Sequence, residues 1–171
     1  WTASDHTFYP FATEHSQDHA NLRDIYFDAL FHPLLKPADF QQEGWRLCPR
    51  ERKLKGVVLN EMKGAMSDAE AIFNEVWQSH VYAGTCYAHN SGGDPAVIPQ
   101  LTHNGLVEFY KRHYTAGNAL FVGYGKLVEE NCDYLAEKLD KYEPSLGQCP
   151  NMRNLQPLPR DQIIVKGPID P

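Results

Sequence analysis

Glu61 is the residue whose setting most needs an explanation. If residues 55–66 form a helix, the positions three and four away are Val57, Val58, Gly64 and Ala65. A carboxylate among small and apolar side chains is costly to bury unless a cation meets it. A metal ligand or a catalytic acid would fit; the plainer alternative is a surface glutamate beside a shallow groove. Gly64 weighs toward chemistry, because glycine inside a helix costs about 1 kcal/mol and is often kept for close approach.

Other residues invite chemistry with less support. His15-Ser16-Gln17-Asp18-His19 mimics H-x-x-E-H with Asp for Glu, and on a helix the two histidines would share a face. The run is polar throughout and lies at a helix start, where solvated histidines are ordinary, so it reads as a decoy. His89 precedes Asn90-Ser91-Gly92-Gly93-Asp94-Pro95, but no Gly-Lys-Ser/Thr follows and a structural loop fits better. Cys48, Cys86, Cys132 and Cys149 form no C-x-x-C pair and read as reduced thiols. No G-x-S-x-G elbow occurs.

The elements that must position these residues are set by periodicity and punctuation. Residues 2–11 alternate as a strand would. Leu22, Ile25, Tyr26, Ala29 and Leu30 keep one face of a helix that His32-Pro33 stops. A second helix is predicted from Pro37 to Leu47, a third from Lys55 to Met66, and a fourth capped at Ser67-Asp68. A loop spans 83–99, and Thr102 caps a helix bearing Leu106, Phe109, Tyr110 and His113. Residues 118–124 (NALFVGY) are apolar on both faces, as in a central strand. A last helix places Val128, Cys132, Leu135, Leu139 and Tyr142 on one stripe. The Pro-rich stretch 143–161 reads as a linker, and Ile163-Ile164-Val165 as the first strand of a second unit. Helices and strands mix without regular βαβ alternation, so the expected class is α+β.

Composition narrows the functions. The 171 residues are 42% hydrophobic and 22% charged, enough for one domain with a real core. A net charge of −6, from 16 Lys and Arg against 22 Asp and Glu, argues against nucleic acid or an anionic membrane as the main partner. No apolar run would span a bilayer, and no signal peptide is visible. The chain opens on Trp1, not Met, and reads as a piece of something longer.

Five stretches, taken together, are familiar: TASDHTFYPFAT (2–13), QEGWRL (42–47), KGVVLNEMKGAMSD (55–68), HNSGGDP (89–95) and NALFVGYG (118–125). With these the chain resembles the pitrilysin (insulinase) family of zinc peptidases, the inverzincins, over nearly its whole length. KGVVLNEMKG with SGGDP downstream is the most specific part. The resemblance implies a two-layer fold of helices on an antiparallel sheet, incomplete at the N-terminus. Residues 1–142 would be the C-terminal part of the first, zinc-bearing domain, 143–161 a linker, and 162–171 the start of the next domain.

The family holds zinc with two histidines of an H-x-x-E-H helix and a glutamate of a later helix. Carried over by position, that third ligand is Glu61. The two histidines and the general-base glutamate belong upstream of TASDHT, so Zn2+ would need two His from outside this chain. No catalytic residue falls within it, and the segment alone is expected to be inactive. Other branches often carry a second acid seven positions before the ligand. Leu54 stands there, as in the branch that digests cleaved targeting sequences. Thr115-Ala116-Gly117, where the family more often has His-Pro-Ser, and Lys126, where Asn follows Tyr-Gly, depart from the pattern at positions that are not ligands.

The implied function is a zinc metalloendopeptidase that encloses and degrades unfolded peptides such as cleaved targeting sequences. The substrate would add as a strand along an edge where Thr2, Ala3 and Ser4 lie. The other expected partner is the rest of the same protease. The implied location is the mitochondrial matrix, with another organelle or a bacterial compartment as alternatives. The rival readings are a degenerate domain serving only assembly, which would lack the upstream motif, and a peptide-binding module without metal.

Overall fold

Prolines, caps and glycines set most boundaries in the computed structural model, which describes residues 1–142 and 164. Helix α1 (Ser16–Phe31) ends at His32, where Pro33 forbids another turn. Helix α2 (Pro37–Glu43) starts on its proline and stops at Gly44. Strands β1 (Arg46–Cys48) and β2 (Lys53–Lys55) form an antiparallel hairpin that pairs Leu47 with Leu54. Helix α3 (Val57–Ala65) comes directly after. The Asp68 carboxylate accepts the Ala71 N–H at 3.0 Å to cap α4 (Ala69–Val81). The Thr102 hydroxyl accepts from Gly105 N–H at 3.1 Å to cap α5 (His103–His113), and α6 is Val128–Leu139.

The class is α+β, helices with a small antiparallel sheet, and among the described residues no helix is long and apolar enough to cross a membrane. Two packing groups hold it. Leu59, Met62 and Ile98 form a buried cluster, backed by Trp45, Leu54 and Val58. Trp45 Nε1 donates to the Leu101 carbonyl at 2.9 Å and ties that cluster to the approach of α5. The second group is aromatic: Phe27 packs against Phe31, Tyr134 and Tyr142, joining α1 to α6. Arg23 lies 4.0 Å over the Tyr134 ring and donates to Asn131 Oδ1 at 2.9 Å.

Several expectations are corrected. Residues 2–11 are not a strand. The chain doubles back on itself, with Ala3 N–H donating to the His6 carbonyl and Phe8 N–H to the Trp1 carbonyl. Residues 119–124 form no strand either; Leu120 and Val122 are 89% and 86% exposed. Strand signals need a neighbouring strand: residues 2–7 find only an isolated bridge between Thr2 and Thr7, and among the described residues no bridge is formed at 119–124. The helix predicted through Leu47 ends at Glu43, because Gly44 breaks it and the next residues pair with β2. The linker at 143–161 lies outside the described residues, as does the strand at 163–165 apart from Ile164.

A candidate metal-ligating helix and its floor

Helix α3 turns one face inward and the other to solvent. Leu59 is fully buried and Met62 nearly so, with Val58 half-buried beside them. Val57, Asn60, Glu61, Gly64 and Ala65 face outward. Glu61 is therefore exposed, which corrects the expectation of a costly burial. Its neighbours are still small or apolar, and its carboxylate has no hydrogen-bond or ion-pair partner among the described residues. Gly64 leaves an open notch beside it, with nothing within 4 Å of where a Cβ would stand.

The helix is well seated. Gly56 lies against the backbone of Gly44 and Trp45, so close that no Cβ would fit. At the far end the Ser67 hydroxyl donates to the Gly64 carbonyl at 2.7 Å, and Met66 N–H donates to the Met62 carbonyl. Beneath the middle runs the SGGDP loop. Asn90 Oδ1 accepts the Gly92 N–H at 2.9 Å, and Gly93 adopts φ +90°, the left-handed region that favours glycine. Asp94 Oδ1 accepts from Ala96 N–H and its carbonyl from Ile98 N–H, which delivers Ile98 to the cluster under α3. The loop packs beneath α3 and is held by its own Asn90 and Asp94 side chains. That it underlies the Glu61 helix was not legible from spacing; the paired glycines were the only signal.

The remaining candidates are less organised. Thr2 is exposed while Ala3 and Ser4 are half-buried, and the Ala3 N–H is already engaged with His6. Next to them, Asp5 accepts from the Tyr87 hydroxyl at 2.7 Å and meets His6 Nδ1 at 2.7 Å. The Tyr87 bond first, then the His6 bond, hold the Asp5 carboxyl below its ordinary pKa, and the same contact raises Tyr87. Sequence reading missed this tie, because the partners are distant in the chain. His15 sits exposed at the start of α1, whereas His19 packs 5.4 Å from the Phe11 ring. Among the described residues, no group of three or more His, Cys, Asp or Glu side chains could hold a metal. Cys48 and Cys132 form no disulfide, and Cys149 lies outside the described residues.

Such a fold and site define an α+β chain whose helix α3 carries one carboxylate, Glu61, on its outward face. No protein-family model matches the chain. Three similar proteins are all named presequence protease, mitochondrial. The one from Schizosaccharomyces pombe is 41% identical over an alignment of 179 positions that takes in all of this chain and 18% of the relative. The one from Yarrowia lipolytica is 42% identical, over 99% of this chain and 18% of the relative. The mouse protein is 47% identical over 75% of this chain and 13% of the relative. The chain is homologous to one segment of these proteases, along essentially all of its length for the first two and three quarters of it for the mouse protein, and it spans less than a fifth of theirs.

Proposed function

We propose that the chain is a segment of a pitrilysin-type zinc metalloendopeptidase that degrades unfolded peptides, cleaved targeting presequences among them, in the mitochondrial matrix. Glu61 is its third protein ligand to zinc. The observation that carries this is the setting of Glu61: an unpartnered carboxylate, exposed on a helix whose other face packs on Ile98, with open space at Gly64 beside it. That setting fits a metal approaching from outside the described residues. A catalytic zinc needs about three protein ligands, so two histidines and the general-base glutamate come from elsewhere in the protease. When bound, such a metal would supply Lewis-acid chemistry toward a scissile carbonyl and its water, with Glu61 as this chain's contribution to holding it. This chain's own part is to hold the Glu61 carboxylate fixed and to leave it unengaged. The backbone near Thr2, Ala3 and Ser4 would present the edge to which a peptide adds. The rest of the protease is the partner that covers the outer face of α3, where Val57 is 52% exposed.

The test is Glu61→Gln in the complete protein that carries this segment, with bound zinc and cleavage of an unfolded presequence peptide measured together. Both should be lost, because glutamine keeps the shape but not the charge. Retention of full zinc and cleavage by the variant would overturn the reading. The isolated 171 residues should show neither tight zinc binding nor cleavage. A complete protein with no H-x-x-E-H helix upstream would instead be the degenerate assembly subunit.

A further inference from the structure

We infer that Gly56 and Gly92 are positioning residues for Glu61: two glycine contacts beneath α3 set where the carboxylate stands. The inference rests on the reading of Glu61 as a zinc ligand. At the helix start, a Cβ on Gly56 would fall on the Gly44 carbonyl group and 2.8 Å from Trp45 Cα, all of it backbone. Gly56 has φ 170°, extended backbone open to any residue, so the demand is for close approach and not for conformation. Its carbonyl accepts the Asn60 N–H at 3.0 Å, so displacing Gly56 displaces the first turn.

In the middle of the helix, a Cβ on Gly92 would collide with Met62 Sδ and lie 3.2 Å from Met62 Cε. A methionine normally yields easily. Here it is 7% exposed and packed with Leu59 and Ile98, which leaves its thioether little room to swing away. Nor can the loop drop freely, since Asn90 Oδ1 holds the Gly92 N–H and Gly93 already occupies the left-handed region. Ordinary carbon contacts lie near 3.5–4.0 Å, so an added methyl requires a displacement on the order of 1 Å. Metal sites hold their ligand distances to within about 0.2 Å. Glu61 lies between the two supports along the helix, so movement of either is passed to its carboxylate.

The test uses the complete zinc-loaded protein. Zinc affinity by chelator competition and the visible spectrum of the cobalt-substituted form are measured for Gly92→Ala, Met62→Ala, the double variant, Gly56→Ala and Glu61→Gln. Gly92→Ala should weaken zinc about tenfold, the low end of the loss when a ligand's support is removed, and should shift the cobalt bands. The double variant should return to the affinity of Met62→Ala alone, because the truncated side chain makes room for the methyl. Gly56→Ala should weaken zinc without such rescue, since it meets backbone. Wild-type affinity and spectrum in Gly92→Ala, while Glu61→Gln loses zinc, would overturn the positioning role. Unchanged zinc in Glu61→Gln would overturn the ligand reading and this inference with it. If Gly92→Ala does not fold, Asn90→Ala takes its place, freeing the Gly92 N–H without added bulk. Weaker zinc there supports the inference, and unchanged zinc refutes it.

Discussion

Leu59→Ala and Glu61→Gln alter opposite faces of the same helix, and their costs should separate folding from metal binding. Leu59 is fully buried against Met62 and Ile98, with Trp45, Leu54 and Val58 closing the cluster. Leu-to-Ala changes in such sites cost about 2–5 kcal/mol, through lost transfer energy and a residual cavity. Taking about 3 kcal/mol, and roughly 2–4 °C per kcal/mol for a domain of this size, the melting temperature should fall by roughly 6–12 °C. Glu61 is exposed and unpartnered, and glutamine is nearly isosteric, so its change should stay within about 0.5 kcal/mol, at most about 2 °C. Those values hold for metal-free protein. With zinc at about 100 times its dissociation constant, a native state able to bind gains about 2.7 kcal/mol. Only proteins that keep Glu61 should show that gain. The assay is a set of thermal melts of the complete protein that carries this segment, following the transition of the unit that contains α3, with chelator and with zinc, for wild type and both variants. If Glu61→Gln melted as early as Leu59→Ala in chelator, the carboxylate would be a structural element. If zinc raised wild type and Glu61→Gln equally, it would not be a ligand.

Two further outcomes rest on local geometry. Asp68→Ala removes the acceptor of the Ala71 N–H and should cost about 1 kcal/mol, read as a lower denaturation midpoint with an unchanged slope. Tyr87→Phe should raise the Asp5 pKa toward its ordinary value of 3.8, followed by NMR titration of the carboxyl carbon. Because the folded value is depressed, the Asp5 contacts stabilise above about pH 3.8 and are lost as pH falls through the folded value. The variant should therefore lose less stability on acidification; an Asp5 titration identical in both proteins would refute the assignment.

Helices were legible because their signals are local. Asp68 and Thr102 cap their helices with bonds to residues only three positions on, and Pro37 and Pro33 act through their own rings or the residue before. Which face of a helix is covered is not a local property. The neighbours of Glu61 were read correctly, but α3 docks through Val58, Leu59 and Met62, and that choice depends on Ile98 and Gly92 arriving from a distant loop. In this fold SGGDP lies against KGVVLNEMKG through Gly92 and Met62, and the same loop brings Ile98 beneath the helix.

The strand at 118–124 failed for a different reason. Ala119 has extended backbone, φ −103° and ψ 137°, as a strand residue would. Extended backbone becomes a strand only when its N–H and C=O groups find a partner chain, and apolar side chains on both faces need cover on both. Leu120, Val122 and Tyr124 have neither among the described residues. The same holds for residues 2–7, whose backbone turns to pair with itself around Asp5. Both corrections concern segments whose composition asks for a sheet, in a chain that spans less than a fifth of its relatives. Like the outward face of α3, both segments leave apolar side chains exposed among the described residues, Trp1 beside the first and Leu120 and Val122 in the second.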